Sequence, residues 1–155
     1  MSSQHILQTA EPATAAFRCQ RSPPHRVLVV DDEAMMRTFN AEVLTSYGYH
    51  VDAAEDGALA WDRLQIESYD LLITDNVMPK VSGIQLIEKV HAARMALPVI
   101  LAAGALPKND FIQCPWLQPS ATLVKPYTIA EFLGTVKSVL CSVVPRAMSR
   151  SYERP

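Results

Sequence analysis

The chain has 155 residues, a formal net charge of −2 and 49% apolar residues. Its length points to one domain with a single core, and its charge gives no global pull toward nucleic acid or an anionic membrane. No apolar run approaches the ~20 residues a bilayer demands, the start lacks the basic and apolar regions of a secretory leader, and the three widely spaced cysteines suit neither a disulfide framework nor a zinc site, so cytoplasmic residence is the default expectation.

Residues 1–25 mix Ser, Gln, Thr, Ala and Pro without a clear period and read as a flexible N-terminal arm ending at Pro23-Pro24. Residues 26–141 carry the fold, and 142–155 form a short C-terminal tail. The four consecutive apolar residues at 27–30 predict a strand buried on both faces. A helix follows over 33–47, with Met36, Phe39, Val43 and Tyr47 on its inward face and Gly48 as its stop. Residues 50–54 form a second strand. Asp56-Gly57 then makes a turn or cap before a helix over 58–67, whose apolar face includes Trp61 and Leu64.

The third strand covers 71–74. Ser82 caps the next helix, which turns Ile84, Ile87 and Val90 inward. Pro98 opens the fourth strand, 99–103. Between 104 and 121 the three prolines Pro107, Pro115 and Pro119 leave room for about two helical turns. The fifth strand is 122–124. Thr128 caps a last helix through 140, with Ile129, Phe132, Val136 and Val139 or Leu140 on its face. Strands alternating with helices predict βαβ units, a parallel sheet and helices on both sides.

Chemistry collects at the strand ends. Asp31-Asp32 ends the first strand, Asp75 the third, and Lys125 with Pro126 the fifth. In an open parallel sheet these carboxyl ends lie along one edge, where ligands bind. Carboxylates that repel one another are kept together mainly where a hard cation binds between them. Mg2+ needs few protein oxygens because it keeps several waters, and it would neutralise an incoming phosphoryl oxygen. Lys125 would hold another oxygen as a point charge, leaving Asp75 as the nucleophile. Taken singly, Asp-Asp after a strand is usually a solvated turn or cap, and Lys-Pro is usually loop chemistry. The stretch Asp75-Asn-Val-Met78-Pro79-Lys-Val-Ser-Gly83 is much rarer by chance.

With Val-Leu-Val-Val-Asp31-Asp32-Glu33, Leu97-Pro98-Val99-Ile100 and Val124-Lys125-Pro126, that stretch resembles the response-regulator receiver domain of two-component signalling, over 26–140. The resemblance implies an α/β, doubly wound, flavodoxin-like fold. Its five-stranded parallel sheet runs in the order 2-1-3-4-5, with helices on both faces. It implies a single-domain response regulator that is not an enzyme. Asp75 would accept a phosphoryl group from a sensor histidine kinase or phosphotransfer protein. Asp32 and Asp75 would ligate Mg2+ directly and Asp31 through a water, with the backbone carbonyl of Val77 completing the set. Lys125 would contact the phosphoryl group, and Pro126 would follow a cis peptide. Output would come from docking on a downstream protein target, with the last helix and residues 104–121 as the docking face and Trp116 and Phe111 as anchors or core. No nucleic-acid or membrane partner is implied.

Two family positions depart from the pattern. Ala103 stands where a Thr or Ser hydroxyl normally meets the phosphoryl oxygen, and Thr122 stands at the aromatic switch position. Losing one charge-assisted hydrogen bond removes about 1.5–3 kcal/mol of contact to the phosphorylated form. That predicts a phosphorylatable Asp75 with a weak or rerouted conformational response. The alternative is a receiver-like interaction module whose output ignores phosphorylation. A small phosphatase or flavin carrier is disfavoured, because no Gly-rich loop follows the first strand and no separate general acid is visible.

Overall fold

A computed structural model describes residues 24–143; the expected arm and tail lie almost wholly outside them. The elements alternate: β1 (Arg26–Val30), α1 (Ala34–Ser46), β2 (His50–Ala54), α2 (Gly57–Ile66), β3 (Leu71–Asp75), α3 (Gly83–Ala92), β4 (Val99–Ala103), α4 (Lys108–Gln113), a 3-10 turn (Pro115–Leu117), β5 (Ala121–Val124) and α5 (Ile129–Ser142). The strands form one parallel sheet, as their alternation with helices predicts, in the order β2-β1-β3-β4-β5 that the receiver resemblance implies.

The three central strands β1, β3 and β4 are buried on both faces because successive side chains alternate between two apolar layers, while the edge strands β2 and β5 are only partly covered. Val27, Val29, Leu71, Ile73 and Ile100 join Leu44 of α1 and Phe132, Leu133 and Val136 of α5. Leu28, Val30, Leu72 and Leu101 join Ala60 and Leu64 of α2 and Leu86, Ile87 and Val90 of α3. The helix starts follow sequence chemistry. Asp56 accepts from the Leu59 amide at the start of α2, and Ser82 and Thr128 each form a reciprocal capping box with Gln85 and Glu131. Gly48 takes φ +91°, a left-handed turn after α1 that other residues rarely adopt. Residues 104–121 hold only six residues of α4 and one 3-10 turn, consistent with their prolines.

Two helix faces need correcting. On α1 the buried residues are Asn40 and Leu44, whereas Phe39 and Tyr47 are 44% and 57% exposed. The inward stripe runs through a polar residue, which a count of apolar positions skips. On α5, Ile129 is exposed at the first turn, while Phe132, Val136, Val139 and Leu140 are buried. Trp61 is half-buried against the α2–α3 layer, with the Lys89 ammonium 5.4 Å from its ring centre. Trp116 is exposed and Phe111 partly buried.

Candidate functional site

The three expected carboxylates converge. Asp31 follows β1 directly, Asp32 comes next, and Asp75 closes β3; each offers an oxygen within 4.8 Å of the others. Their order of exposure is graded: Asp31 is buried, Asp75 half-buried and Asp32 exposed. The Lys125 ammonium arrives one residue after β5 and lies 3.2 Å from Asp31 Oδ2 and 3.5 Å from Asp75 Oδ2. Parallel pairing explains the convergence. Val30 is level with Thr74, Asp75 with Ala102, and Ala103 with Val124, so residues just past these strand ends share one edge.

Backbone groups fix the cluster. The Glu33 amide donates to Asp31 Oδ1 at 2.9 Å, and the Arg37 guanidinium donates to the Asp31 carbonyl at 2.8 Å. The Asn76 amide donates to Asp75 Oδ1 at 2.8 Å and to the Ala102 carbonyl at 3.1 Å. Gly83 has no room for a side chain: a Cβ there would stand 2.4 Å from the Asp75 carbonyl oxygen. Past Met78-Pro79, Lys80 takes a left-handed φ of 67°, and its ammonium lies 3.3 Å from Asp56 Oδ2. That pair ties the loop after Asp75 to the cap of α2.

The electrostatics are those of a crowded anionic pocket. Burial pushes the Asp75 carboxyl above the usual carboxylate range; Asp31 adds to that, and Lys125 opposes it. Burial pulls the Lys125 ammonium down, but Asp31 and Asp75 outweigh it and hold the group above its ordinary value. The ammonium therefore stays charged while Asp75 keeps a basic carboxylate. Hard oxygen donors at this spacing suit a small divalent cation better than a soft metal.

The remaining expected residues flank this pocket. Val77 lies two residues past Asp75 with its side chain 79% exposed. Ala103 is buried at the end of β4 and carries no hydroxyl; its carbonyl accepts from the Lys125 amide at 2.9 Å. Thr122 is exposed on β5 and lines the groove beside α5. The Lys125–Pro126 peptide is cis. Two residues went unnoticed in the sequence. Asn40 on α1 donates to the Tyr127 hydroxyl at 2.9 Å, across a separation of 87 positions, and no periodicity or motif marks such a pair.

An open parallel sheet with three carboxylates and an ammonium at its carboxyl edge defines a doubly wound α/β protein with a hard-cation type of acidic site. The family whose profile is described as the response regulator receiver domain matches residues 27–137, and the chain belongs to that family. It is 32% identical over 117 residues to the response regulator receiver protein CpdR of Brucella abortus (strain 2308), covering 74% of this chain and 96% of that protein. It is 29% identical over 115 residues to the probable transcriptional regulatory protein SilR of Salmonella typhimurium, where it spans 50% of the relative's length. Among solved structures, the response regulator TrrA of Thermotoga maritima in complex with Mg(2+)-BeF aligns with a TM-score of 0.66 and 29% identity, covering 74% of this chain and 98% of that one. The chemotaxis response regulator CheY4 of Vibrio cholerae aligns with a TM-score of 0.68 and 25% identity, covering 75% and 98%.

Proposed function

We propose that the chain accepts a phosphoryl group on Asp75 from a sensor histidine kinase or phosphotransfer protein and signals by docking on a downstream protein. The observation that carries this reading is the placement of Lys125 against both Asp31 and Asp75 within a three-carboxylate cluster. Asp31, Asp32, Asp75 and the backbone carbonyl of Val77 would hold Mg2+, which supplies charge neutralisation for the phosphoryl oxygens. The Mg(2+)-BeF complex of TrrA supports the same choice of cation.

The chain's own groups then have separate tasks. An Asp75 oxygen forms the new bond to phosphorus while the P–N bond of a donor phosphohistidine breaks and its electron pair leaves with the imidazole. Burial makes that oxygen more basic than a solvated carboxylate. The Lys125 ammonium, held in place by Asp31, takes a phosphoryl oxygen as a point charge. Asp75 is thus an acceptor in a relay; the protein is not a turnover enzyme. Among the described residues no helix is long and apolar enough to cross a membrane, and we place the protein in the cytoplasm with protein partners only.

The test is direct. The protein is incubated with Mg2+ and acetyl phosphate or phosphoramidate, and intact mass is compared for wild type and Asp75→Asn. One phosphoryl adduct in wild type, lost in the variant and on chelation, supports the reading. No adduct in wild type, or an equal adduct in both, overturns it.

A further inference from the structure

We infer that the Asn40–Tyr127 pair is a switch that carries the state of the acid pocket to α1 and α5. This rests on the reading of Asp75 as the phosphoryl acceptor. Four polar or charged side chains are buried among the described residues: Asp31, Asn40, Asp56 and Thr74. Asp31 belongs to the pocket, Asp56 caps α2, and Thr74 donates to the Asp75 carbonyl. Asn40 does none of these things. It is buried on α1 one turn before Leu44, and its partner Tyr127 packs against the layer that holds Leu44 and Phe132. The Asn40 Nδ2 donates to the Tyr127 hydroxyl at 2.9 Å, while its Oδ1 is buried with no hydrogen-bond partner among the described residues. A half-satisfied buried amide is destabilising, and an apolar pair of the same shape would serve packing at least as well. Packing therefore does not account for it.

Tyr127 is joined to both ends of the proposed path. It lies two positions after Lys125, and the charges of Lys125, Asp31 and Asp75 all act on its hydroxyl. Its ring stacks on Phe132 of α5, with ring centres 5.6 Å apart and planes 20° from parallel. The pair has two hydrogen-bonded arrangements. In the one present, the amide N–H donates to the phenol oxygen. With the amide turned over, Oδ1 accepts the phenol proton instead. A phosphoryl group on Asp75 draws the Lys125 ammonium toward itself and changes the field at the hydroxyl, and the balance between the two arrangements follows. The bond joining α1 to the loop that leads into α5 then changes in length and direction, and the Tyr127 ring stacked on Phe132 moves with it. The usual route offers no competitor, since Ala103 has no donor and Thr122 is an exposed residue on β5.

Hydrogen exchange read by mass spectrometry tests this, on the full chain with and without Mg2+ and beryllofluoride. The proteins are wild type, Tyr127→Phe, Asn40→Leu, the double variant, and Val136→Ala, which loosens the same layer without touching the pair. Wild type is expected to change its exchange at the loop after Asp75 and, by about fivefold or more, in the first turns of α5. The double variant keeps the loop response and loses that of α5, while Val136→Ala keeps both. An α5 response that survives in the double variant, or that Val136→Ala abolishes equally, overturns the switch alone. No loop response in wild type overturns the acceptor reading and the switch with it.

Discussion

Replacing Lys125 with methionine removes the one ammonium that, among the described residues, pairs with both Asp31 and Asp75, and keeps most of the side-chain volume. At 3.2 and 3.5 Å, with an effective dielectric of about 20, each attraction is on the order of 5 kcal/mol before desolvation is counted. Net losses are smaller, because the ammonium is itself partly stripped of water. Removing one partner of a buried pair typically costs about 3–5 kcal/mol, and Lys125, which retains some exposure, belongs at the low end. We expect Lys125→Met to lower stability by about 3 kcal/mol in chelator, roughly 10 °C in Tm for a domain of this size. Saturating Mg2+ should raise the variant's stability by at least as much as wild type's, since the cation takes over the missing countercharge; ligand present at about a hundred times its Kd adds about 2.7 kcal/mol, close to the size of the loss. The assay is thermal and urea unfolding of wild type and variant, each in chelator and in Mg2+. Equal stability of the two proteins in chelator, or a smaller gain from Mg2+ in the variant than in wild type, would refute the reasoning that these charges share one pocket.

Other outcomes follow from the same geometry. Gly83→Ala forces a Cβ to 2.4 Å from the Asp75 carbonyl oxygen. It should destabilise the fold by about 1–3 kcal/mol and weaken Mg2+ binding, measured by urea unfolding and calorimetric titration. Ser82→Ala removes the hydroxyl of the α3 capping box and should cost about 1 kcal/mol with the phosphoryl adduct retained. At the far edge of the sheet, burial pushes the Asp52 carboxyl up, but the Tyr69 hydroxyl and the Arg26 guanidinium outweigh it and hold the group below its ordinary value. A depressed folded value contributes stability that is present above the unfolded pKa and is lost as pH falls below it. Asp52→Asn should therefore be less stable than wild type at neutral pH, with the gap closing in acid below about pH 4. An unchanged gap across that range would contradict the assignment.

Most of the site was legible because its residues end apolar runs. Asp31-Asp32 and Asp75 each follow a stretch too apolar to be anything but a buried strand, Lys125 follows the shorter run Thr122-Leu123-Val124, and parallel pairing does the rest. The fold was legible for a related reason: apolar runs such as 27–30, 71–73 and 99–103 alternate with helical periods. What escaped depends on tertiary partners. The inward face of α1 passes through Asn40, whose burial is made tolerable by Tyr127, 87 positions away. Ile129 has the right spacing to face the core, yet it lies in the first turn of α5, beyond the reach of the apolar layer. The tie between Lys80 and Asp56 joins two loops whose sequences say nothing of each other.

The central claim is that phosphorus is taken up by the Asp75 carboxylate and by no other group. Borohydride reduction of the phosphorylated protein converts an aspartyl phosphate to homoserine, and peptide mass spectrometry locates the change. Our account predicts homoserine at position 75 alone, dependent on Mg2+. Reduction at another carboxylate, or an adduct that borohydride leaves intact, would contradict it.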